Sequence, residues 1–182
     1  MHRNAPSVIA FFLAVFSILG LLVVTLFVSN ALLRDFDLNT DELIFSSPIK
    51  RRHYLLGRIG AALIASLMMY VVIAIGTFVA QFMPWIDSAR LGPVSLRPYV
   101  WSFCIMLVPN LLFATALLSL LAVVTRSILW VYIGVIAFFV LYFVSGSLLA
   151  DVDNRHIVAL LDPFGLRPLG LAMRYWLSLI HI

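Results

Sequence analysis

The chain has 182 residues, 64% of them hydrophobic and 11% charged, with a formal net charge of +4. Soluble domains carry roughly 45–50% apolar and about 25% charged residues, so this composition and a mean hydropathy of +1.12 exclude an ordinary soluble domain and indicate an integral membrane protein. The twelve Lys and Arg residues flank apolar stretches, where they serve orientation and give no sign of nucleic acid; one cysteine, Cys104, excludes an intrachain disulfide.

Four segments carry no charge: between Arg3 and Arg34, Arg58 and Asp87, Arg97 and Arg126, and Arg126 and Asp151. Each has the roughly 20 apolar residues that a helix needs to cross about 30 Å of hydrocarbon. In lipid the backbone must satisfy its own hydrogen bonds, so only helices or a closed barrel can span. The period-two alternation of a barrel is missing. The fold class is therefore all-α and polytopic, with spans at about 7–33, 59–83, 99–125 and 127–149. The first span is too long for a signal peptide, and no small-residue cleavage site follows it.

The first span ends in a polar island, Arg34–Arg58. It holds Asp35, Asp37, Asp41 and Glu42, then Ser46-Ser47-Pro48, then the basic run Lys50-Arg51-Arg52. Asn39 can cap a helix whose third residue is Glu42. Asp41 and Glu42 suit the positive end of its dipole. Leu43, Ile44 and Phe45 supply an apolar face, and Pro48 ends it, so a short helix lying along the membrane is predicted here. A loop that only anchors topology is the plainer alternative. Lys50–Arg52 and Tyr54 fit the interface where the second span starts. On that span Gly57, Ala61 and Ala65 form a small-residue row that permits close helix packing, with a dimer seam as one place for it.

The connector Pro84–Pro98 is rich in turn signals, with Gly92-Pro93 at its middle. In the third span, Pro109-Asn110 marks a candidate hinge or pathway element, or a tolerated kink packed against neighbours. Thr115 and Ser119 continue a mildly polar face. Thr125-Arg126-Ser127 leaves almost no connection, so the third and fourth spans form a tight antiparallel pair. Ser145-Gly146-Ser147 lacks a nearby base and fits packing. In the tail 151–176, Ile157, Leu160 and Leu161 suit a short interfacial helix that Asp162-Pro163 ends. Tyr175 and Trp176 suit the headgroup level. LSLIHI, residues 177–182, reads like a translated transposon sequencing adaptor and is expected to be foreign, which makes 1–176 a fragment of a longer protein.

No ionisable residue lies in the middle of a span, which argues against proton coupling and intramembrane proteolysis. Asp151, Asp153 and His156 make a weak metal signal, better explained as a solvated loop. There is no phosphate loop of the Gly-x-x-x-x-Gly-Lys type for ATP. No catalytic, cofactor-binding or metal-ligating residue is assigned. Charge counts tie at six Lys or Arg on each side of a hairpin topology. The dense run Lys50–Arg52 places the island in the cytoplasm and the Pro84–Pro98 loop and the tail outside.

The run ELIFSSPIKRRHYLLGR, residues 42–58, resembles the cytoplasmic loop of type-2 ATP-binding-cassette (ABC) export permeases. The matching positions are Glu42, Leu43, Ser47-Pro48, Lys50–Arg52 and Leu56-Gly57-Arg58. PWID (84–87), VPNLLF (108–113), TRS (125–127), LLDPFG (160–165) and RYW (174–176) resemble, in the same order, a subgroup fused to or encoded near zinc aminopeptidase-like domains. The resemblance implies a bacterial inner-membrane permease subunit without enzymatic activity or cofactor of its own. It would couple ATP hydrolysis on a separate cassette subunit to export, through a coupling helix at Asp41, Glu42, Leu43, Ile44, Phe45, Ser47 and Pro48. It also implies a dimer of permease halves. Such permeases have six membrane helices; the four here resemble the second to the fifth. The alternative is a non-transporting membrane anchor or scaffold for a peptidase-like enzyme.

Overall fold

A computed structural model describes residues 4–38, 40, 46, 50–84, 92–148 and 162–180 of the chain. Among these residues it is all-helical: α1 (Pro6–Asp37), α2 (Arg51–Ala80), α3 (Arg97–Thr125), α4 (Ile128–Leu148) and α5 (Leu166–Ile180). The first four are long and apolar enough to cross a membrane, so the chain is a multi-pass membrane protein.

Each predicted span is a helix, with shifted ends. Helix α1 starts at Pro6 and continues through Asp37, past the first charges of the island. Pro6 sits in the first turn, where its missing N–H costs nothing. Helix α2 starts at Arg51, so the basic half of the island forms its first two turns. The tail also holds a helix that the sequence patterning did not single out. Asp162-Pro163 opens α5 where the tail pattern suggested only a stop. The interfacial helix expected around Ile157–Leu161 lies outside the described residues.

Helix α1 is the hub and packs against every other described helix. Its buried face steps through Leu13, Ser17, Leu21, Val24, Val28 and Leu32, the three-and-four spacing of one helical stripe. That face meets Leu107, Leu111, Ala114, Leu118 and Ala122 of α3 within one core. Of the most apolar window, 44% is buried in α1 and in α3 but only 17% in α2 and α4. The pair α1–α3 is thus the centre, and α2 and α4 turn most of their surface outward.

Two small residues set the closest approaches. A Cβ on Gly20 of α1 would overlap the Tyr70 hydroxyl of α2 and stand 2.6 Å from the ring carbon that bears it. One on Gly134 of α4 would stand 2.8 Å from a Leu121 methyl of α3. The α3–α4 hairpin closes through Arg126-Ser127 as expected, with Arg126 in the left-handed region (φ 50°) and its N–H donating to the Ala122 carbonyl at 2.9 Å. Glycine or asparagine usually fills such a helix stop. The row Gly57, Ala61, Ala65 points away from the core, and a Cβ on Gly57 would meet nothing within 4 Å. Among the described residues Gly57 and Ala61 are thus exposed and Ala65 half-buried.

Candidate functional site

Polar side chains gather in two layers at opposite ends of the helix bundle. The first lies where α1 ends and α2 begins. Asp35 is buried on α1, and its carboxylate accepts from the Tyr54 hydroxyl and pairs with the Arg58 guanidinium, both on α2. Arg58 also donates to the Ala31 carbonyl at 2.7 Å and lies over the Tyr54 ring, 5.0 Å from its centre. One guanidinium thus holds a carboxylate and a helix carbonyl of α1 at once, a use of its planar fork that lysine could not reproduce. The Thr40 N–H donates to the Asp35 carbonyl at 2.9 Å and folds the chain back over the end of α1. The two helices that flank residues 39–49 are therefore clamped together at their ends.

Arg126 completes this layer from the α3–α4 turn, its guanidinium 5.9 Å from the centre of the Phe36 ring. Arg34, Arg51, Arg58 and Arg126 all fall at helix ends on this face, as the charge-free spans require.

The second layer lies far up the bundle. Asn110 stands about 24 Å along α3 from Arg126, and Ser17 about 27 Å along α1 from Asp35, at 1.5 Å per residue. Taking the charged layer as one edge of a core roughly 30 Å thick, Asn110 lies toward the opposite edge. It is central in its helix but not in the membrane. Asn110 is buried, and its Nδ2 donates to Ser17 Oγ at 3.0 Å and to the Phe164 carbonyl at 3.4 Å. Ser17 Oγ donates to the Ala14 carbonyl at 2.7 Å, and the Tyr70 hydroxyl donates to the Ser17 carbonyl at 3.1 Å. Four segments, α1, α2, α3 and the turn before α5, meet through these neutral groups.

Pro109 explains how Asn110 is aimed. A proline in a helix lacks its N–H and presses on the carbonyl four residues earlier. Here the preceding turn, Phe103–Leu107, is widened into a π-helical turn, and the Val108 N–H reaches back to the Phe103 carbonyl. The extra residue in that turn rotates the two halves of α3 against each other. The kink expected at Pro109 thus takes the form of a widened turn just before it.

The turn Asp162–Gly165 is built around its carboxylate. Asp162 Oδ1 accepts from the Phe164 N–H at 3.0 Å and Oδ2 from the Arg167 N–H at 2.7 Å. Gly165 (φ +73°) allows the chain to turn into α5. Phe164 is buried edge-on against Phe138 and Tyr142 of α4, with ring centres 6.0 and 5.1 Å away. Arg167 donates to the Tyr142 carbonyl at 2.9 Å and to Ser145 Oγ at 3.4 Å, over the Tyr142 ring. Ser145 is thus a contact for Arg167, and also donates to the Tyr142 carbonyl.

Of the sequence-derived site residues, Pro109 and Asn110 fall in the second layer. Asp41, Glu42, Leu43, Ile44, Phe45, Ser47 and Pro48 lie outside the described residues. So do Asp151, Asp153 and His156; among the described residues no cluster of metal-ligating side chains occurs. Thr115 and Ser119 are buried, and their hydroxyls meet no partner among the described residues. Sequence reasoning missed Asp35, Tyr54, Ser17, Tyr70 and Arg167. The one signal for Asp35 was its position just past the end of an apolar span.

Compared with protein families, with curated proteins and with solved structures, the chain matches none.

Proposed function

We propose that the chain is the membrane-spanning part of an ABC export permease subunit, in which residues 41–48 receive movement from a separate ATP-binding subunit and α1 distributes it. Two things support this reading. The ordered motifs of the sequence resemble that family, and the clamp of Asp35, Tyr54 and Arg58 couples the ends of the two helices flanking that segment. The clamp is the observation that carries the mechanism. A displacement of residues 39–49 would pull on α1 and α2 together instead of being absorbed at one helix end. Because α1 touches every other described helix, the same motion would reach Ser17 and Asn110 at the far layer.

In this mechanism the chain contributes the path and the lever, and the ATPase chemistry stays on the partner. Replacing Glu42 and Leu43 together by Ala in the full-length protein is expected to lower co-purification with the ATP-binding subunit several-fold, or to leave ATP hydrolysis uncoupled from transport. Unchanged association together with unchanged transport overturns the reading. A full-length protein that carries a hydrolase domain and never associates with an ATPase would instead be the membrane anchor.

A further inference from the structure

Asn110 uses only one end of its carboxamide within the bundle. Its Nδ2 donates to the Phe164 carbonyl, which can only accept, so the amide is oriented and its Oδ1 points the other way. Asn110 is only 8% exposed, yet among the described residues nothing donates to that oxygen. A buried acceptor without a donor is unusual and calls for a partner. Asn110 also lines a groove of about 640 Å³ between α3, α4 and the turn before α5, and Oδ1 is the atom it has left to offer there. Phe113 of α3 and Phe138 of α4 wall the groove, with ring centres 6.2 Å apart. Ser145 Oγ also lines it and has given its proton to the Tyr142 carbonyl at 2.8 Å, so toward a ligand it can only accept. Phe113 is 47% and Leu141 68% exposed, and both stand in membrane spans, so the groove opens toward hydrocarbon.

Ligand sites between helices are mostly apolar, with a few placed polar groups that fix orientation. Here aromatic walls open to hydrocarbon and the placed oxygens are acceptors, which fits an apolar molecule carrying a hydrogen-bond donor. We propose that the groove binds a neutral lipid alcohol from the leaflet opposite the charged layer. The lipid hydroxyl donates to Asn110 Oδ1, and one chain lies along Phe113, Phe138 and Leu141. Asn110 lies toward that edge of the hydrocarbon core, the level of lipid glycerol backbones. Phospholipid esters at this level only accept and leave Oδ1 unsatisfied. A phosphate would set its negative oxygens against those of Asn110 and Ser145. The site rests on the chain's spanning a membrane and not on the permease reading.

The test is native mass spectrometry of the full chain in detergent, titrated with a diacylglycerol or with the same lipid acetylated at its free hydroxyl. The two ligands differ in one donor. The diacylglycerol should bind about three-fold tighter or more, the worth of one neutral hydrogen bond in a membrane. Asn110→Ala should abolish that preference. Ser17→Ala breaks the same contact to α1 but leaves Oδ1 in place, so it should keep the preference and separates the acceptor from loosened packing. Leu141→Trp fills the mouth from an exposed position and should weaken both lipids. Equal binding of the two lipids by the unaltered chain overturns the proposal, as does a preference that survives Asn110→Ala or is lost in Ser17→Ala. Binding of both lipids unchanged by Leu141→Trp places them elsewhere on the chain and also rejects the groove.

Discussion

The two polar layers fasten the same helix, α1, with different chemistry. At the charged end a carboxylate, a phenol and a guanidinium tie α1 to α2, with the Arg58 side chain 27% and the Asp35 side chain 11% exposed. At the far end the bonds joining α1 to its neighbours are neutral, from Asn110 and Tyr70 to the hydroxyl and carbonyl of Ser17. The difference follows access to water. A charge pair survives where water reaches part of it, whereas Ser17 and Tyr70 are each 1% exposed, and an enclosed charge there would be costly. Neutral hydrogen bonds between membrane helices average only about 0.6 kcal/mol, because the separated helices find other partners. The charged layer should therefore be the stronger fastening, and the neutral layer the easier one to rearrange.

The largest effect is expected from Asp35→Ala. Breaking a buried pair strands its partner, at about 3–5 kcal/mol when fully enclosed. Partial exposure of Arg58 reduces this to about 2–3 kcal/mol. Thermal unfolding in detergent measures it, and a loss no larger than that from the neutral layer would break the comparison. Gly20→Ala should rank next. The new Cβ cannot coexist with Tyr70, which is 1% exposed and has little room to withdraw. Overpacking of this kind costs about 1–3 kcal/mol. It should also remove the Tyr70 bond to Ser17, and Gly20→Ala combined with Tyr70→Phe should recover part of the loss. The smallest effect belongs to Ser17→Ala with Asn110→Ala. Their double-mutant cycle should yield a coupling near 0.6 kcal/mol and no more than about 1.7 kcal/mol. A larger coupling would make the far layer a rigid fastening and remove its role as the adaptable end.

Much of the architecture was legible along the chain. Long charge-free runs marked the four helices, and Thr125-Arg126-Ser127 marked the hairpin. Pro109 signalled a disturbance in α3, although not that the preceding turn would widen. The small-residue row Gly57, Ala61, Ala65 was legible as a close-packing face, but not that Gly57 and Ala61 would face outward from the described helices. Asp162-Pro163 was read as the stop of a helix that lies outside the described residues. What the pattern did not signal is that its carboxylate accepts two backbone N–H groups at the start of α5, which depends on where the following turn folds.

By itself the sequence determined that this is an all-helical membrane protein and where its charges lie. The reason is local: hydrocarbon leaves a backbone no partners but its own, and excludes charge over a fixed length. Only the tertiary structure decided that Asn110 meets Ser17 across 93 positions and that Arg58 meets Asp35 across 23. Helical periodicity ranks the faces of one helix, but it does not state how that helix is rotated or shifted against another. That choice came from Gly20, which lets Tyr70 close on α1, and from the widened turn before Pro109, which aims Asn110 inward.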